Sequence, residues 1–210
     1  MGSDSKNAGQ LDGGRPVSAA HIPEAGSRAE DGGSGGARRT QSRSPFQLGP
    51  MPTGRQMETV DEALVRAGVR TTFDLVKRVE EWPQHLPHYR YVTMRERTSD
   101  GGGIVEMAAN RPFGVVSWPT WWLSEMTVDE QAPAVRFRHI GGITTGMDVE
   151  WSFEKVANGT HVRILHVWDG PRWPLIGIFA ATQVIGPIFV HGIASRTLAG
   201  LGKVAESLDA

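Results

Sequence analysis

Apolar and polar positions divide the chain into strand-like segments around a short helical region, closed by a long apolar stretch. Residues 60–67 read as a first strand. From Thr71 to Glu81, Phe73, Val76 and Val79 recur at helical spacing with charges between them, as in an amphipathic helix. Trp82-Pro83 should stop that helix, because proline disfavours helix at the residue before it. Residues 84–88 then form a second short helix or turn. Strands are expected over 91–98, 104–110, 115–128 (interrupted or bent near Pro119), 135–140, 147–156 and 161–168. Gly101 to Gly103, Gly141-Gly142, Asn158-Gly159 and Asp169-Gly170-Pro171 supply the turns. Alternation is clearest at Met147, Val149, Trp151 and Phe153, set against Asp148, Glu150, Ser152 and Glu154, as in a half-buried antiparallel strand. Residues 175–208 read as a long helix, with a separate short helix before Gly186-Pro187 as a variant. Its candidate core positions are Ile193, Leu198, Leu201, Val204 and Leu208. A strand, helices, about six antiparallel strands and a long helix predict an α+β domain whose curved sheet wraps the helix and encloses a hydrophobic cavity.

Composition sharpens the boundaries. Residues 1–55 are rich in Gly, Ser, Ala, Arg and Pro and carry few large apolar side chains before Phe46. Such a segment cannot bury enough surface to offset its ordering entropy, so it is expected to be a disordered tail. Arg38, Arg39 and Arg43 among serines and threonines offer a weak anionic-surface or phosphorylation region, or only a solvated tail. Residues 56–210 are of single-domain size. The net charge of −1 argues against nucleic acid as a partner. With no cysteine, disulfides, thiolate metal sites and cysteine nucleophiles are excluded, which suits a reducing compartment. The first ten residues have no apolar core of a secretory signal. Asn158-Gly159-Thr160 therefore reads as a hairpin turn rather than a glycosylation site. The expected location is cytoplasmic, with peripheral contact at a membrane as a variant.

Two strings carry a resemblance. One is Phe73-Asp74-Leu75-Val76, followed by Val79-Glu80-Glu81-Trp82-Pro83 and Leu86-Pro87; the other is Ile193-Ala194-Ser195-Arg196. Over about residues 56–208 the chain resembles the START-like helix-grip superfamily. Within it, the nearest group is that of polyketide cyclases/dehydrases and lipid-transport proteins, which includes coenzyme Q-binding proteins. The resemblance implies a helix-grip fold and a Trp-Pro turn beside the cavity mouth. Aromatase/cyclases of this group combine that turn with a nearby Tyr and an Arg on a central strand that orients the polyketide. Trp82 and Tyr89 match the first two by spacing. Within Trp122-Leu123-Ser124-Glu125-Met126, the Arg position is taken by Met126. A thioether cannot stabilise an enolate as a guanidinium does, so the resemblance favours binding over cyclisation.

Six of the seven tryptophans lie between Trp82 and Trp168. Alternation turns Trp122 toward the cavity and Trp121 away from it. It groups His139 with Val135 and Phe137, and His166 with Val162, Ile164 and Trp168. These histidines can hydrogen-bond a ligand carbonyl or act as acid or base; the alternative is a structural histidine with its own partners. The expected ligand contacts are Trp82, Tyr89, Trp122, Ser124, Met126, His139, Trp151, His166 and Trp168. His85 and His88 are two ligands where zinc needs three or four, so no metal is expected. No nucleophile elbow, phosphate loop or dinucleotide fingerprint appears, and no cofactor is implied. The uncharged run 173–195 is long enough to span a bilayer. Pro174, Pro187, Gln183 and His191 suit a cavity lid and core better, with transient membrane contact during loading as an intermediate. The expected function is binding or transport of a lipid, quinone or polyketide-like molecule. The alternatives are an aromatase/cyclase or dehydratase working through Tyr89, His139 or His166, and a partner-binding domain with a filled cavity.

Overall fold

The computed structural model describes residues 43–113, 116–170 and 190–210. β1 (Met57–Val65) leads into α1 (Val69–Lys77), a 3-10 turn (Val79–Glu81) and α2 (Trp82–His85). Then come β2 (Tyr89–Arg97), β3 (Gly103–Phe113), β4 (Val116–Asp129), β5 (Ala134–Gly142), β6 (Asp148–Val156) and β7 (Gly159–Trp168). The described chain closes with α3 (His191–Leu208). The strands form one curved seven-stranded sheet in the order β1-β7-β6-β5-β4-β3-β2, with every neighbouring pair antiparallel. The first and last strands meet, and α3 packs against β1 and α1. This is the expected α+β helix-grip arrangement.

Local chemistry explains the departures from the sequence pattern. α1 buries Phe73, Leu75 and Val76 and turns Arg70, Asp74 and Lys77 outward, where Arg70 and Lys77 each pair with both Asp74 and Glu130. It stops at Lys77 rather than Glu81. Pro83 does not end a helix but sits in the first turn of α2, where its missing N–H costs nothing. The buried Trp82 indole donates to the Val76 carbonyl at 3.1 Å, pairing one of the carbonyls a helix end leaves free. At the other end of α1, Asp209 accepts from the Gly68 N–H (2.7 Å) and the Thr71 hydroxyl (2.8 Å). These bonds hold its carboxyl below the usual range, the favourable charge for a helix N-terminus.

β4 runs unbroken through Pro119, contrary to the expected bend. Pro119 lies opposite Asn110, whose N–H points the other way, to the His88 carbonyl. The pair is therefore not hydrogen-bonded, and the proline nitrogen faces the side where β5 has not yet begun to pair. The irregularity lies instead between Leu123 and Ser124, where the β4–β5 register shifts.

Up to residue 42, the tail expected over 1–55 lies outside the described residues. Residues 43–55 are not free. The Ser99 N–H donates to the Arg43 carbonyl at 2.8 Å, Leu48 is buried, and Arg55 pairs with Asp169. The outer face of β5 also holds this segment: Arg138 donates to the Leu48 carbonyl at 2.8 Å and Arg136 to that of Gly49. Composition missed this because the attachments are mostly backbone carbonyls and ion pairs, with Leu48 the one large apolar side chain buried. The helix expected over 175–208 is described from His191; residues 173–189 of the uncharged run lie outside the described residues. Leu198 and Leu201 are buried as expected, but Leu208 is exposed because α3 ends there, past the sheet.

Candidate functional site

The concave face of the sheet and the first half of α3 line a cavity of about 80 Å³. One wall is aromatic. Trp82 from α2 meets Trp151 of β6 at 5.7 Å between ring centroids and Tyr89 of β2 at 5.4 Å. Tyr89 meets Trp122 of β4 at 6.1 Å, and Trp122 stacks on His139 of β5 at 6.0 Å. Met107, Phe137, Met147, Val149 and Ile164 complete the sheet side; Val190, Ile193, Ala194 and Thr197 close it from α3. Trp122, Ile143 and Ile193 are the described lining residues that keep appreciable exposure, which puts the mouth at the β5–β6 turn and the start of α3.

Few polar groups enter this surface. Thr197 donates to the Ile193 carbonyl at 2.8 Å and lies 3.3 Å from the Tyr89 hydroxyl and 3.1 Å from His88 Nε2. His139 Nδ1 shares a 2.6 Å hydrogen bond with the Thr144 hydroxyl. His166 Nδ1 is buried without a partner. Burial pushes both histidines down to about 3, with His166 adding to the effect on His139. Both are neutral at pH 7, so each ring offers one N–H donor and one acceptor nitrogen. Burial pushes the Tyr89 phenol up, so it stays protonated and able to donate.

Six of the nine expected contacts come together here: Trp82, Tyr89, Trp122, His139, Trp151 and His166. The other three lie outside the lining. Ser124 faces inward but is fully buried beside the register shift, its hydroxyl without a partner. Met126, two residues further along β4, is fully buried opposite Gly103 and Phe137. The position matched to the cyclase Arg therefore does not reach the cavity. The Trp168 indole donates to the Thr145 carbonyl at 3.0 Å and pins the β5–β6 turn. Trp121 is 52% exposed and points outward. Alternation could have supplied Phe137, Val149 and Ile164. Ile143 and Thr144 come from a turn and Thr197 from a helix face, and neither carries a sequence signal. Among the described residues no cluster could hold a metal ion, and no helix is long and apolar enough to cross a membrane.

Solved structures share this architecture. A Thermus thermophilus protein superposes with a TM-score of 0.60 at 16% identity, covering 73% of this chain and all (100%) of that one. The Zhui aromatase/cyclase from a Streptomyces species gives 0.60 at 14% identity, covering 73% of this chain and 96% of that one. A START superfamily protein from Mycobacterium smegmatis gives 0.51 at 16%, covering 72% and 96%. A comparison of the sequence with curated proteins finds no match. The sequence profile described as "Polyketide cyclase / dehydrase and lipid transport" matches residues 65–184, more than half of the chain. The chain thus belongs to the polyketide cyclase/dehydrase and lipid transport family, within the START-like superfamily.

Proposed function

We propose that the chain binds and carries an uncharged hydrophobic molecule (a lipid, a quinone or a polyketide-like compound) in the cavity under α3, without transforming it. The observation that carries this reading is the cavity lining, which among the described residues offers neutral hydrogen-bonding groups and no charged side chain. A general acid or base works best with a pKa near the working pH. His139 and His166 are pushed to about 3 and remain neutral hydrogen-bonding groups. Apart from these and Thr120, Thr144 and Thr197, the described lining is apolar or aromatic, as ligand pockets usually are, and supplies no Arg or Lys to stabilise an enolate. The small volume and the partly exposed Trp122, Ile143 and Ile193 suit a ligand whose remainder extends through the mouth. Transient membrane contact through residues 173–195 during loading, from a cytoplasmic location, belongs to the same proposal.

A second reading has its own support: an aromatase/cyclase is among the structural neighbours, and Tyr89 and the two histidines share the cavity. On that reading they would relay protons within a bound polyketide. Native mass spectrometry of protein purified without detergent, followed by solvent extraction, separates the possibilities. A stoichiometric lipid or quinone, recovered unaltered, is the expected result. A clean apo mass, with no subsequent uptake of a fluorescent lipid probe, overturns the carrier reading; conversion of an added polyketide-like substrate would replace it with the enzymatic one.

A further inference from the structure

Among the described residues, six buried side-chain polar atoms lack a hydrogen bond. Two have ionic partners instead: Asp74 Oδ1 lies 2.8 Å from Lys77, and Arg136 Nε 3.5 Å from Glu150. The other four, on Thr59, Asp61, Ser124 and His166, all belong to the concave face of the sheet. Three of these are neighbours. Thr59 on β1 is the direct cross-strand partner of His166 on β7, and Asp61 follows two residues later on the same face. Asp61 is only 4% exposed. One of its oxygens lies 2.6 Å from Nδ1 of His191, in the first turn of α3, and the other has no partner. His166 lines the cavity, as do Val190 and Ala194 on either side of His191 in sequence.

Leaving a buried polar atom unpaired is costly, and native proteins keep few such atoms. Three on adjoining strands beside a ligand cavity call for a guest. We propose that Thr59, Asp61 and His166 form a polar recess off the apolar cavity that takes a hydroxyl group of the bound ligand, with His191 keeping the other Asp61 oxygen paired. The inference rests on the ligand-binding reading above. A hydroxyl has one donor and two acceptor sites. It donates to the free Asp61 oxygen and accepts from the Thr59 hydroxyl and from His166 Nδ1–H. A carboxylate would meet Asp61 as a like charge, and an ammonium would leave its water for a largely apolar surround.

The test compares p-cresol with p-xylene, which have nearly the same shape and differ by a hydroxyl, each titrated into the full chain and followed by NMR. The wild type should favour p-cresol by about tenfold or more, the worth of one or two buried hydrogen bonds. Asp61→Leu and the nearly isosteric Thr59→Val should each bring the ratio of affinities toward 1. His191→Ala, which leaves the ligand hydroxyl as the only donor to the Asp61 carboxylate, should raise it. A ratio unchanged in Thr59→Val and in His191→Ala overturns the recess, even if Asp61→Leu fails to fold. If neither probe binds the wild type, the ligand-binding reading fails and this inference goes with it. If both bind equally well, the recess alone fails.

Discussion

Acidification from pH 7 to pH 5 should destabilise the protein through its two cavity histidines. His139 and His166 are held neutral in the folded chain by burial, each with its pKa lowered to about 3. An unfolded histidine takes up a proton near pH 6.5. Between those values the unfolded state binds a proton that the native state does not. Stability from each neutral ring is therefore fully present above about 6.5 and is lost as the pH falls toward 3. The limiting slope is about 1.4 kcal/mol per pH unit per histidine, so the step from 7 to 5 removes about 2 kcal/mol for each and about 4 for both. A typical domain is stable by about 5–15 kcal/mol, so the effect is large. Urea denaturation at both pH values, run on the wild type, H139Q, H166Q and the double variant, isolates it, because the carboxylates titrate alike in all four. Each single variant should reduce the acid-induced loss by about 2 kcal/mol. The same loss in all four proteins would refute the burial argument, and with it the neutrality on which the carrier reading depends.

Other perturbations test the remaining contacts. Arg138→Ala leaves the buried Asp148 and the Leu48 carbonyl without their 2.9 Å and 2.8 Å partners; it should cost about 1–3 kcal/mol in urea denaturation and expose residues 43–50 to protease. Gly102→Ala drives a Cβ into the Met126 backbone carbonyl on the neighbouring strand, so it should cost at least about 2 kcal/mol by thermal melting. Trp122→Ala, which opens the aromatic wall, should weaken a fluorescent lipid probe about tenfold. Trp121→Ser, on the exposed side of the same strand, should change folding stability by no more than about 0.5 kcal/mol.

The concave face could be read from alternation in β5, β6 and β7, through Val135, Phe137 and His139, Val149, Trp151 and Phe153, and Val162, Ile164, His166 and Trp168. Alternation specifies a face but not a depth. Ser124 and Met126 share the face of Trp122, yet one is buried at the register shift and the other is packed beneath the cavity. Trp168 shares the face of His166 but spends its indole on the β5–β6 turn. Asp61 escaped notice because an acid within a strand reads as a solvent-facing position. Only the closure of β1 onto β7, with α3 laid across them, shows that Val60 and Leu64 face out and Asp61 faces in. Pro119 was misjudged for a related reason: its effect depends on which side of β4 lacks a partner, and that is a property of the sheet.

The pairing of β1 with β7 also bears on how the chain folds as it is made. Met57 pairs with Trp168 and Val65 with Thr160, so roughly a hundred residues must be added before β1 finds its neighbour, and non-local closure of this kind slows folding. At about 5–20 residues per second the ribosome needs some 5–20 s for that stretch. Meanwhile β1, with Val60 and Leu64 on one face and Met57, Ala63 and Val65 on the other, is an unpaired strand with apolar side chains on both faces. The meander from β2 to β7 can assemble from sequential hairpins, but the concave wall and its cavity are complete only when the oldest strand joins the newest. Chaperone engagement should therefore peak on nascent chains that have exposed β1 and not yet released β7.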